Sequence, residues 1–186
     1  TSISGVSYTF TTTADKTIYP IADEYSVSNL SIKEGTILTK TYTVDLADTS
    51  QRFIIPNSNV DTSTIAVKIQ NSSGDSTTVV WTDGNALDVT TITSTQKVYF
   101  IQEVEDQKYE VIFGDGAVGK QLADGNIVII EYLVTKGIDA NKASSFTAVG
   151  TVAGLSAANY TLTVASVATG GSTIESVNSL KNNAPK

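Results

Sequence analysis

The first place to look for chemistry in this chain is a glycine-rich stretch, Gly114-Asp115-Gly116-Ala117-Val118-Gly119-Lys120-Gln121. Its G-x-G-x-x-G spacing with a following lysine is that of a loop that cradles phosphate. Such a loop works when the glycines open a helix, because the helix N-terminus turns free amides and the positive end of a dipole toward the anion. Here Ala117 to Asp124 leaves room for at most one helical turn before Asp124-Gly125-Asn126 breaks it. The P-loop pattern also requires four residues between its glycines and then Lys followed by Ser or Thr, and Gln121 stands where that hydroxyl belongs. The stretch therefore reads as a hairpin tip between two strands, in which glycine supplies the positive φ of a tight reversal.

Three other groupings invite a chemical reading. Glu103, Glu105, Asp106 and Glu110 form an acidic group, and glycoside cleavage needs two carboxyls facing each other across a sugar. Glu103 and Glu105 share a strand face by parity, but Asp106-Gln107 reads as a turn that solvates the group, so a charged hairpin bend is the better account. Asp83-Gly84-Asn85 offers oxygen ligands for calcium without the spacing of an EF-hand, and Asp and Asn favour turns for backbone reasons. Trp81, Tyr99, Tyr109 and Tyr132 could line a carbohydrate groove as an exposed coplanar row; their alternation with aliphatic residues favours packing into a core or against a sheet face. Nothing singles out a Ser-Lys dyad.

Composition narrows the field further. The chain has 186 residues, enough for one large β domain or two small ones with a real core. With no Cys and no His it lacks disulfides, thiolate metal sites and the commonest general base. What remains for catalysis is carboxylates, Lys, Tyr and hydroxyls, and none of the groupings above sets them out as the site of an enzyme, a cofactor or a metal. Twelve basic against nineteen acidic residues leave a net charge of -7, with both signs spread along the sequence and no basic run, which argues against a nucleic-acid partner. The longest strongly apolar run, Ile127 to Ile130, is far short of the ~20 residues of a membrane helix, so no membrane partner is expected either. No charged start followed by an apolar core marks a signal peptide. The absence of Met and the start at Thr1 read as a piece of a longer protein.

These residues must be positioned by strands. Lys97 to Val104 and Tyr109 to Phe113 cluster aromatic and β-branched residues, while Ile127 to Val134 is apolar on both faces, as a strand covered from two sides would be. Further strands are expected at Ser2 to Thr13, Tyr25 to Ile32, Thr36 to Val44, Phe53 to Ile55, Ile65 to Ile69, Thr77 to Trp81, Phe146 to Val152 and Tyr160 to Val167. Ser172-Thr173-Ile174-Glu175 is a capping box that opens a short C-terminal helix with Ile174, Val177 and Leu180 on one face. The fold class is mainly β, with two interleaved sandwich-like or barrel-like domains. Polar stretches at 45–51 and 137–144 place the boundaries: an outer domain from 1–50 with 138–171, an inserted domain at 51–137, and the start of a helical segment at 172–186.

Tyr109-Glu110-Val111-Ile112-Phe113-Gly114-Asp115-Gly116, then Gly119-Lys120, Leu122, Asp124-Gly125-Asn126 and Glu131-Tyr132, resembles the middle region of the baseplate wedge proteins of T-even-like contractile-tailed phages. Phe53-Ile54-Ile55-Pro56-Asn57, Val60-Asp61 and Ser63-Thr64 are similar to the same region, and Gly170-Gly171-Ser172, Glu175-Ser176 and Asn183-Ala184-Pro185-Lys186 to a segment of the wider baseplate J-like family. The match covers most of the chain from about Leu30 onward. It implies a structural subunit of the virion's tail baseplate, assembled in the host cytoplasm. Such a subunit holds neighbouring wedge subunits together, has other wedge proteins and copies of itself as partners, and transmits the change of baseplate shape on contraction. It implies no active site and no cofactor. The isolated fragment is expected to be a monomer. The tip residues Asp115, Gly116, Lys120 and Asp124, with exposed strand edges, are the candidate contacts. A glycan-binding β domain is the alternative.

Overall fold

A computed structural model describes residues 1–172 apart from 21, 23, 152 and 153. The chain divides into two compact units, Thr1–Thr36 with the chain from Thr135 onward, and Ile37–Val134. Among the described residues there is no α-helix, only single turns of 3₁₀ helix such as Glu105–Gln107 and Gly137–Ala140. The expected C-terminal helix falls on 173–186, outside the described residues.

The first unit is held by short pairings rather than a sandwich. Strands β1 (Ser2–Ile3) and β2 (Val6–Ser7) form a hairpin whose two loop residues, Ser4 and Gly5, both have positive φ, the turn that matches the twist of paired strands. Strand β3 (Phe10–Thr11) pairs with β4 (Lys33–Glu34). The two sequence segments of the unit are stitched by side chains. Lys136 N donates to Glu34 Oε2 at 2.8 Å, the Lys136 ammonium lies over the Tyr8 ring, and Phe10 meets Phe146 edge-on at 4.9 Å. Asn141 exchanges two hydrogen bonds with the backbone of Gly171. Tyr25 to Ile32, Phe146 to Thr151 and Tyr160 to Val167 alternate like strands in sequence but are not strands. Alternation selects a face; a strand also needs a paired neighbour for its amides and carbonyls, and among the described residues these segments join no ladder.

The second unit is one seven-stranded sheet. Its strands are β5 (Thr36–Thr43), β6 (Phe53–Ile55), β7 (Val60–Ser72), β8 (Asp75–Asp83), β9 (Val98–Glu103), β10 (Tyr109–Phe113) and β11 (Ile127–Val134). Their order is β5-β11-β7-β8-β9-β10-β6. The sheet curls into a nearly closed barrel, which brings its edge strands together: the Tyr42 hydroxyl of β5 donates to the Ile54 carbonyl of β6. Strand β5, within the 1–50 segment of the sequence-based division, is a member of this sheet.

Period-two alternation accounts for the core. Ile65, Val67 and Ile69 of β7 point inward between the outward Ala66, Lys68 and Gln70, and Val128 and Ile130 of β11 do the same opposite them. Ile55, Val67, Val111, Val128 and Ile130 are essentially inaccessible, and burying each side chain of this size contributes about 1.5–3 kcal/mol. The register of β11 shifts between Glu131 and Leu133; Tyr132 stays in the barrel core, and the Leu133 amide finds the Thr64 hydroxyl at 3.1 Å. Edge-to-face aromatic pairs run through the interior, Tyr42 to Phe53, Phe53 to Phe113 and Phe113 to Trp81, with centroids 5.3–5.6 Å apart.

Where β8 ends, β9 runs on without it. The two are parallel and overlap only at Thr82↔Val98 and Asp83↔Tyr99. The gap is filled by side chains. Asn85 Nδ2 donates to the Ile101 carbonyl at 3.1 Å and its Oδ1 accepts from the Ile101 amide at 2.8 Å, as a strand would; the buried Tyr99 hydroxyl donates to the Ile65 carbonyl at 2.9 Å. Asp83-Gly84-Asn85 is thus the turn that opens an excursion from 84 to 97, after which β9 runs parallel to β8.

Candidate subunit-contact surface

Strands β10 and β11, which flank the glycine-rich stretch, are not neighbours, because β11 lies between β5 and β7 and β10 between β9 and β6. The expected hairpin tip is therefore a crossing loop. It spans from one wall of the barrel to another, and its path explains its glycines. The chain passes over itself at Gly114 and Gly119 so closely that a Cβ on Gly114 would sit 2.3 Å from the Gly119 carbonyl carbon. Gly119, at φ +79°, also lies against the Val98 side chain, where a Cβ would come to 2.7 Å of Val98 Cγ2. The crossing is fastened from below: Gly116 N donates to Gly119 O, Gly119 N to Thr93 O and Lys120 N to Gln96 O, the last at 2.8 Å. Leu122 is the loop's apolar anchor in the core.

No helix follows these glycines, and the loop's amides already have an anion of their own. Asp115 Oδ1 accepts from Ala117 N at 2.8 Å and from Val118 N at 3.0 Å. The Val118 amide first and the Ala117 amide second hold the Asp115 carboxyl below its ordinary pKa. The place where a phosphate would be cradled is occupied by the protein's own carboxylate.

The four residues singled out in the sequence are all exposed but do not form one cluster of equivalent contacts. Asp115, Gly116 and Lys120 sit at the self-crossed tip. Asp124 belongs to the loop's far end, where its Oδ1 accepts from Leu46 N at 3.0 Å and Gly125 N donates to Val44 O at 2.9 Å. Beside this fastening opens a groove of about 260 Å³ lined by residues that include Asp45, Asp48, Phe53, Phe113 and Leu122. Asn126 ties the same loop to the β7–β8 hairpin through Asn71 O at 3.0 Å.

The other groupings separate clearly. Trp81, Tyr99 and Tyr132 are 3–5% exposed and built into the core, so they form no exposed row. In the acidic group Glu110 is drawn off by Arg52, which meets it with two parallel hydrogen bonds of 3.0 and 2.7 Å, while Asp106 stands in solvent in the β9–β10 turn. Among the described residues no three His, Cys, Asp or Glu side chains are placed to hold a metal ion, and no helix is long and apolar enough to cross a membrane. Charge is not even between the units. Thirteen of the nineteen acidic and six of the twelve basic residues lie in Ile37–Val134, so the whole net charge of -7 belongs to the barrel.

This barrel with its crossing loop coincides with a known family. Residues 38–143 match the family model of bacteriophage baseplate wedge protein gp6, third domain. The chain belongs to this family. No curated protein matches it. The gp6 third-domain match begins within β5 and runs through β11, covering the seven-stranded sheet, the 84–97 excursion and the crossing loop. Membership in the gp6 family carries a structural role in the phage tail baseplate, in assembly with other baseplate proteins. The crossing itself, the Asn85 plug and the Tyr42 closure could not have been found from spacing, since each joins residues that only the strand order brings together.

Proposed function

We propose that this chain holds neighbouring wedge subunits together in the baseplate, including copies of itself, and passes on the change of baseplate shape when the tail contracts, having been assembled in the host cytoplasm. The match to the gp6 third domain carries this reading. The contact region is the tip of the crossing loop, Asp115, Gly116 and Lys120, with Asp124 bracing its far end. A tip suits this role because it is exposed yet fastened at its base by Gly114, Gly119 and Leu122, so a partner meets a preorganised surface and little entropy is lost on docking. The barrel, Ile37–Val134, serves as an inserted domain that carries this tip.

Two substitutions in the intact wedge protein test the proposal without touching the loop's fold. Lys120→Glu reverses a charge whose side chain makes no ion pair among the described residues. Asp115→Asn removes a charge but keeps an oxygen to accept from Ala117 and Val118. Lys120→Glu is expected to leave the melting temperature within a few degrees, since an exposed change of this kind shifts stability by about 0.5 kcal/mol or less; Asp115→Asn is expected to lower it somewhat more, because an amide oxygen accepts from Ala117 and Val118 less strongly than the carboxylate. Co-purification with the other baseplate proteins is expected to fall. Undiminished assembly by both variants would remove the tip from the interface.

A further inference from the structure

The two edge strands of the barrel meet without sharing a ladder. Strands β5 and β6 are the terminal members of the sheet order, and side chains close the seam between them. Tyr42 donates its hydroxyl to the Ile54 carbonyl and packs its ring edge-on against Phe53. Gln51 reaches back with both ends of its amide: Nε2 donates to Thr43 O at 2.7 Å and Oε1 accepts from Asp45 N at 3.0 Å.

Beyond this seam, β5 is held by the sheet on one side only. It has one sheet neighbour, β11, where interior strands have two. Thr36, Ile37, Leu38 and Thr39 are all exposed, Ile37 to 49%, so the first half of the strand adds nothing to the core. Firm anchoring begins only after the strand. Val44 is buried and exchanges backbone hydrogen bonds with the turn just before β11, Val44 N to Asn126 O at 2.8 Å and Gly125 N to Val44 O at 2.9 Å.

We infer that β5 is a strap that unlatches from the barrel at Tyr42 and Gln51 and swings about Val44, leaving the six strands β11-β7-β8-β9-β10-β6 in place. The core tolerates this because its fully buried members lie on those six strands and their connections, and among the buried core residues only Val44 adjoins β5. The strap is also one of two covalent links to the other unit, since the chain enters the barrel through β5 and leaves through β11. Unlatching frees one link while the other stays in the sheet. The inference rests on the seam alone and stands whether or not the loop tip is the contact between wedges.

Amide hydrogen exchange of the whole chain reads it directly. Amides of β5 are expected to exchange at least tenfold faster than those of β7 and β8, because they open locally and not with the whole barrel. Tyr42→Phe removes one hydrogen bond of the latch and is expected to speed β5 exchange about threefold to tenfold with β7 and β8 unchanged. Gln51→Ala, which releases the Thr43 carbonyl, is expected to act in the same direction. Exchange of β5 in step with β7 and β8 in the unaltered protein would overturn the inference. So would an equal acceleration of all strands by both variants, since the barrel would then open as one body.

Discussion

Alanine at Gly114 is expected to cost the barrel about 3 kcal/mol, the upper range of overpacking penalties, and to lower its melting temperature by roughly 10–20 °C. The reason is the self-crossing of the loop. The added Cβ would lie 2.3 Å from the Gly119 carbonyl carbon and 2.5 Å from the carbonyl oxygens of Val118 and Gly119. All three are backbone atoms, which cannot rotate away as a side chain can. Relief requires the two passes of the loop to part, and parting them strains the fastening of Gly119 to Thr93 and of Lys120 to Gln96. The informative control is Gly116→Ala. Gly116 has φ +88°, which costs an L residue about 1 kcal/mol, but a Cβ there meets nothing closer than 3.9 Å. Backbone conformation alone ranks Gly116 as the more sensitive glycine; the crossing reverses the order. Urea titration of both variants decides between them, and an equal or smaller loss for Gly114→Ala would contradict the crossing.

Alkaline solution is expected to destabilise the protein through Tyr99. Burial, reinforced by the charge of Asp83, pushes the Tyr99 hydroxyl up to about 12, whereas in the unfolded chain a tyrosine titrates near ~10. The folded protein therefore holds this proton more tightly than the unfolded chain does. Below pH ~10 both forms keep it and the contribution is complete; between pH ~10 and 12 only the unfolded chain releases it, and stability falls with rising pH. At about 1.36 kcal/mol per unit the loss amounts to roughly 2 kcal/mol by pH 12. Tyr42, Tyr109 and Tyr132, all raised chiefly by burial, act in the same direction. Tyr99→Phe is expected to be less stable near neutrality by about 1–2 kcal/mol, because the Ile65 carbonyl loses its donor, and to show a shallower decline above pH ~10. Melting temperatures of the two proteins across pH 8 to 12 test this. Parallel curves would mean that Tyr99 releases its proton as freely in the fold as outside it.

The barrel strands were legible because each carries its own signal. Ile65-Ala66-Val67-Lys68-Ile69 alternates, and the inward set is the buried set. Ile127 to Val134 reads as covered on both sides, and none of its residues is exposed. The same signal misled at Tyr25 to Ile32 and Tyr160 to Val167, where β-prone residues alternate and no strand forms. Period-two patterning reports what a segment could bury, not whether a partner stands beside it. The tip residues were legible as exposed turn material, but not as parts of a crossing: glycine spacing looks alike in a hairpin and in a loop joining strands that never touch.

The sequence by itself determined the alphabet of this protein: which segments favour extended backbone, which face of each is apolar, where glycine and Asp allow reversals, and that Cys and His chemistry is absent. It also carried a family likeness that the match over 38–143 bears out. Only the tertiary structure decided the order of the strands. From that order follow the crossing at Gly114 and Gly119, the burial of Trp81, Tyr99 and Tyr132, the capture of Glu110 by Arg52 fifty-eight positions away, and the side-chain seam at Tyr42. Local propensity acts over a few residues, whereas strand neighbours are chosen by competition among all edges of the chain, and that choice is made only when the barrel closes.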